Sequence, residues 1–151
     1  MRTMKENWIP EKLYREIQKN IPILCVDVVV QCGDGILLMK RKNYPAKDKL
    51  WLPGGRLKLG YSLEKFAVEK VKEETGLNVK IKKFIGAYSL IFKKGFYGFP
   101  VHDITVCFLA KKTGGKLKID KNHSKSMIVK KLPKSLDWYP RKVIQDSGIL
   151  K

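Results

Sequence analysis

The chain has 151 residues, 44% of them hydrophobic, with a formal charge of +18. That length supports one domain, residues 1–151, with a real core. The apolar content is ordinary for a globular protein, and no apolar run reaches membrane-spanning length, so no membrane partner is expected.

Only five of the 32 basic residues are arginines: Arg2, Arg15, Arg41, Arg56 and Arg141. The lysines are spread along the chain with no basic tail and no repeated basic–aromatic module. A nucleic-acid partner is compatible with this charge, but a Lys-rich solvated surface is the favoured reading. Either way, the positive field favours a small phosphorylated substrate. The start, "MRTMKENWIPEKLYREI", carries acids and no apolar stretch of a secretory signal, so a soluble cytoplasmic protein is expected. Cys25, Cys32 and Cys107 are unpatterned, and Cys25 and Cys107 lie in apolar runs. Buried thiols are expected, not a disulfide framework.

In chain order, residues 10–20 read as a short amphipathic helix, opened by Pro10 and carrying Leu13 and Ile17 on one face. "PILCVDVVVQC" is a mostly buried strand. "GDG" at 33–35 signals a hairpin, and "ILLMKRK" pairs back. "NYPAKDKLWLPGGR" is a loop entering a Gly-Gly turn. Residues 62–75 form the best-defined helix, with Ser62 as N-cap, Leu63, Phe66, Ala67 and Val71 on one face, and Gly76 as the stop. "NVKIKKFIGAYSLIF" is a long strand with a bend at Gly86. "KKGFYGFP" is an aromatic loop, "HDITVCFLAKK" the next strand and "SMIVKKL" a last short one. Pro133 opens a C-terminal helix ending near Gly148. The order αβββαβββα predicts an α/β sandwich around a mixed sheet.

Chemistry concentrates between Gly54 and Val79, a strand, a Gly-Gly turn, a loop and an acid-bearing helix. Glu73 and Glu74 are adjacent on the helix, about 100° apart, and both can reach one ion. Hard oxygen ligands suit Mg²⁺ beside a substrate phosphate, and the Gly55 region can add a carbonyl. A solvated charged helix face is the alternative. Lys70 is four residues before Glu74, so an i,i+4 pair is expected there.

The stretch from Gly55 to Leu77 resembles the Nudix box. Gly55, Val71, Glu73, Glu74, Gly76 and Leu77 stand at matching positions. Tyr61 replaces the first Glu of the pattern, Glu69 the Arg, and Lys70 the second Glu, which ordinary members use as metal ligand or base. The resemblance implies a Nudix α/β/α sandwich over nearly the whole chain, and a homodimer is common in this family. "KRKNYPAKDKLWLPGGR" (40–56) and "KENWIPEKLYREIQKNIPILCVDVVV" (5–30) are similar to the GDP-mannose mannosyl hydrolase branch, which cuts the sugar C1–O bond. That likeness implies that Arg41 and Arg56 stabilise a diphosphate leaving group. It also implies that Asn122 reaches a metal and His123 is the general base, with His102 a further histidine of interest. The position of Lys70 is not acidic in that branch either.

The resulting expectation is a Mg²⁺-dependent hydrolase, with Mn²⁺ as an alternative ion, acting on a nucleotide diphosphate sugar. Its ligands would be Gly55, Glu73, Glu74 and Asn122, and its catalytic residues Arg41, Arg56 and His123. The alternatives are cleavage of the P–O–P bond, or an inactive Nudix module that binds nucleotide or RNA.

Overall fold

A computed structural model describes residues 8–150. The first seven residues, on which the reading of the N-terminus partly rests, lie outside them. The elements run α1 (Glu11–Asn20), β1 (Ile23–Cys32), β2 (Gly35–Arg41), β3 (Leu50–Trp51), β4 (Gly54–Arg56), α2 (Leu63–Thr75), β5 (Leu77–Phe92), β6 (Val101–Gly115), β7 (His123–Val129) and α3 (Trp138–Ser147). One seven-stranded sheet has the order β3-β2-β1-β6-β5, with β4 on β1 and β7 on β2. β1 and β6 run parallel from Ile23↔Asp103 to Gln31↔Lys111, and the other pairs are antiparallel. The expected mixed sheet in an α/β sandwich is therefore present.

Strand alternation builds both faces. Val26, Val28 and Val30 of β1 and Leu37 and Met39 of β2 pack against Phe66, Ala67 and Val71 of α2. Val29, Ile36 and Leu38 face the opposite way, onto Tyr139, Val143 and Ile144 of α3. Each such side chain stabilises the fold by about 1.5–3 kcal/mol, so Phe66→Ala, at a fully buried site, removes about 3–5 kcal/mol.

Helix α2 begins where expected, with Ser62 Oγ accepting from the Lys65 amide at 3.2 Å. It ends at Gly76 in the left-handed conformation, φ 75°, which glycine adopts without a Cβ penalty. The fold differs from expectation in two places. Gly54-Gly55 is a strand, not a turn: Val26 pairs with Gly55 and Asp27 with Gly54. A Cβ on Gly54 would collide with the Asp27 carboxylate and the Val26 carbonyl, so the glycine serves close approach of two backbones. The C-terminal helix starts at Trp138, five residues after Pro133. The Asp137 side chain caps the Trp138 amide at 2.7 Å, while Pro133 turns the chain by accepting from Leu136. The three cysteines are free, Cys32 and Cys107 buried and Cys25 half-buried. No helix among the described residues is long and apolar enough to cross a membrane.

Candidate active site

β1 uses two partners along one edge. Its end pairs with β2 at Gln31↔Ile36 and Cys32↔Gly35, and its start pairs with β4 at residues 25–27. The short β4 thus occupies the place where β2 has left β1, and it brings Gly54, Gly55 and Arg56 to the end of α2. There the Gly54 amide donates to Glu74 Oε1 at 2.7 Å. Glu74 is 4% exposed. Burial pushes its carboxyl up to about 8, against the attraction of Lys70 and the Gly54 hydrogen bond.

The loop after β6 supplies the next groups. Its backbone is tied to the end of α2, with the Lys118 amide donating to Thr75 O and the Asp120 amide to Glu74 O. β7 then starts at His123, which a register shift places opposite Arg41. His123 is 3% exposed, and its Nδ1 stands 2.6 Å from Asp120 Oδ1. A carboxylate accepts, so Nδ1 carries the hydrogen and Nε2 keeps its lone pair. Burial pulls the imidazole below its ordinary value, with Asp120 opposing. The ring is therefore neutral near pH 7.

One ligand atom from each of Glu74, Asp120 and His123 lies within 4.8 Å of the others. Two carboxylates and an imidazole are a donor set for a divalent cation. The carboxylates suit Mg²⁺ and the nitrogen also suits Mn²⁺. The residues present fit such an ion.

A cavity of ≈330 Å³ opens beside this cluster, and Gly54, Gly55, Glu74, Asn122 and His123 reach its wall. Arg41 and Arg56 line it too. The Arg41 guanidinium is oriented by Nε donating to Pro45 O at 2.7 Å, and the Arg56 guanidinium lies 5.0 Å from the Tyr14 ring centroid. Asn122 is exposed, and its amide nitrogen stands 3.4 Å from Asp120 Oδ2. The structure thus brings together Arg41, Gly55, Arg56, Glu74, Asn122 and His123. Glu73 stands apart, half-exposed, 3.6 Å from Lys70 Nζ. His102 lies outside the cavity wall, 2.8 Å from Ser89 Oγ.

Sequence reasoning missed three acids. Asp120 sits three residues before His123 in "IDKNH", a spacing that signals an Asp–His pair. Asp27 interrupts the apolar run "CVDVVV", the mark of a buried acid with a task. Asp103 follows His102 in "HDITV", where nothing local marks it. Asp27 accepts from the Tyr139 hydroxyl at 2.6 Å, and burial pushes its carboxyl up to about 7.

Comparison with known proteins places this geometry. Residues 22–146 match the NUDIX domain family. The chain is 36% identical over 129 residues to an ADP-ribose pyrophosphatase of Methanocaldococcus jannaschii, covering 83% of this chain and 72% of that protein. It is 31% identical over 80 residues to the low-salt glycan biosynthesis protein Agl8 of Haloferax volcanii, covering 53% of this chain and 51% of that one. The fold superimposes on a MutT NUDIX hydrolase of Burkholderia pseudomallei with a TM-score of 0.73 at 21% identity, over 84% of this chain and 98% of the other. A match across most of the chain, together with a helix-end carboxylate facing a cavity with two arginines, is decisive: the chain belongs to the Nudix family of hydrolases.

Proposed function

We propose that the protein is a divalent-metal-dependent hydrolase of a nucleoside diphosphate sugar, with Mg²⁺ or Mn²⁺ held at the cluster of Glu74, Asp120 and His123. The observation that carries this reading is the Glu74–Asp120–His123 cluster, whose Glu74 and His123 line the same cavity as Arg41 and Arg56. When bound, the cation neutralises charge on the diphosphate. Arg41 and Arg56 present planar forks that suit phosphate oxygens. Each is already oriented, Arg41 by Pro45 and Arg56 against Tyr14, so little ordering is left for substrate binding. Asp120 holds His123 in one tautomer, which leaves the single Nε2 lone pair to take a proton from water in the C1–O reading, the cation then resting on Glu74 and Asp120, or to ligate the cation in the P–O–P reading. Asn122, which reaches the cavity wall, would add its amide oxygen to the ion or the phosphates. The aromatic segment with Phe92, Phe96 and Tyr97 lines the cavity and offers faces for base or sugar.

The bond cut is read first as sugar C1–O. A neutral, oriented His123 fits a base for water at that carbon, and the acid used in phosphate attack by ordinary members is replaced by Lys70. The second reading, cleavage of P–O–P, is favoured by the relationship to an ADP-ribose pyrophosphatase. Product identification from a nucleotide-sugar panel with Mg²⁺ tests both. Free sugar plus nucleoside diphosphate supports the first, and sugar phosphate plus nucleoside monophosphate the second. No turnover of any member, with salt-steep RNA binding instead, would leave an inactive binding module.

A further inference from the structure

Beyond the metal cluster, the cavity has a floor made by neighbouring strands. Cys25 and Asp27 of β1 stand beside Thr105 and Cys107 of β6, with Cys25↔Thr105 and Asp27↔Cys107 as register partners. Asp103 lies two residues before Thr105, on the same side, and Asp27, Asp103 and Thr105 all reach the cavity wall. The walls around them are apolar: Trp51, Leu90, Phe92 and Val101. Trp51 and Phe92 have ring centroids 6.1 Å apart.

This floor cannot face phosphate. A carboxylate at Asp103 beneath a diphosphate would repel it, and the arginines are needed against the phosphates themselves. A cation would be complementary, but Arg41 already supplies positive charge to both acids. What fits carboxylates between aromatic walls is a neutral group that donates hydrogen bonds and carries an apolar face. A sugar ring has both, since its hydroxyls donate and its C–H face packs on aromatic rings.

We infer that Asp103, with Asp27 beside it, is a specificity-determining residue that accepts hydrogen bonds from the hydroxyls of a substrate sugar ring. Asp103 is the accessible member. Asp27 is 6% exposed and already accepts from Tyr139, whereas Asp103 is half-buried, with the Cys25 thiol as its hydrogen-bond donor. On β5, Leu90 is the register partner of Asp103 and Phe92 that of Val101, so the Asp103 side chain shares one face of the sheet with the apolar side chains of the cavity wall. The inference rests on the proposed nucleoside diphosphate sugar reading. The sugar can be the ribose of the nucleoside or the group beyond the diphosphate, and the substrates below separate them.

The experiment measures calorimetric binding of ADP-ribose, ATP and 2′,3′-dideoxy-ATP to wild type and Asp103→Asn, with Ca²⁺ present so that turnover is not required. Asp103→Asn keeps size and one acceptor but loses the charge that strengthens a hydroxyl's hydrogen bond. We expect ADP-ribose affinity to fall about tenfold, while dideoxy-ATP binds as well or better because a repelling charge is gone. Loss for ADP-ribose alone assigns the distal sugar, and equal loss for ATP assigns the nucleoside ribose. Equal changes for ADP-ribose and dideoxy-ATP, or no change for any ligand, overturn the inference. Thermal unfolding checks integrity, and Asp103→Ser gives the same readout if Asn is not tolerated. Absence of turnover on every nucleotide sugar, with the binding pattern intact, would remove the proposed function and leave the sugar contact standing.

Discussion

The Lys70 ammonium lies 3.6 Å from Glu73, while Glu74 accepts the Gly54 amide. The i,i+4 pairing expected between Lys70 and Glu74 is thus replaced by an i,i+3 pair with Glu73. Lys70 also packs its Cε against the place where a Gly55 side chain would stand, so its charge sits behind β4 and is felt by Glu74 and His123.

Lys70→Glu therefore raises the Mn²⁺ affinity of the substrate-free protein. Replacing a cation by an anion beside the cluster is worth about tenfold or more, roughly 1.4 kcal/mol at the effective dielectric of a partly buried site. Titration followed by electron paramagnetic resonance reads this directly, and Lys70→Met should fall between. Unchanged affinity in both would show that the ammonium does not act on the ion site.

Glu74→Gln separates metal binding from folding. At pH 7 the metal-free carboxyl is mostly protonated, because burial holds it near 8, and a glutamine oxygen can accept the Gly54 amide in its place. The melting temperature should stay within a few degrees, while Mn²⁺ affinity and activity fall about a hundredfold or more. The same burial gives a pH signature. An ion displaces the Glu74 proton, so apparent affinity rises from pH 6 to pH 8 and then levels. Calorimetry at pH 7 in buffers of different ionisation enthalpy should find close to one proton released, and that release should be lost at pH 9.

Much of the fold was legible because local signals and core pattern agreed: Ser62 and Gly76 bound α2, Gly33 turns the hairpin, and valines alternate along β1. Gly54-Gly55 was misread because two adjacent glycines signal a turn equally well as a close backbone contact, and only the Asp27 side chain opposite decides between them. The candidate site was legible where the motif is local, at Glu74, and where a resemblance named residues that the fold puts at strand ends on the cavity wall, Arg41, Arg56 and His123. Asp27 and Asp103 were not, because their role follows from the parallel register of β1 and β6, joined across about seventy residues, and no local pattern encodes that register.

Gly54→Ala tests the close approach. The added methyl meets the Asp27 carboxylate and the Val26 carbonyl, neither of which is a flexible chain end, so β4 must leave β1. The expected cost is about 1–3 kcal/mol for overpacking, read as lower denaturant midpoint. Glu74 would lose its amide donor with it, so metal affinity falls too. Gly55→Ala meets only the Lys70 side chain, which can swing, and should cost much less.

Asp27 carries a stability prediction of definite sign. Its carboxyl is raised from an ordinary 3.8 to about 7 by burial, with the Tyr139 hydrogen bond and Arg41 opposing. Between those values the folded protein holds a proton that the unfolded chain has lost, so stability contributed by this group falls as pH rises from about 4 to 7. Asp27→Asn removes that slope. The variant should match wild type near pH 4 and exceed it above pH 7, by up to about 4 kcal/mol for a shift of this size. Tyr139→Phe should act oppositely, because it takes away the donor and leaves a buried acceptor short of a partner, at about 1–3 kcal/mol. Denaturant unfolding of the three proteins from pH 4 to 8 checks both signs. Parallel curves for wild type and Asp27→Asn would mean that Asp27 is ionised in the fold throughout, stabilised by Arg41 more strongly than it is penalised by burial.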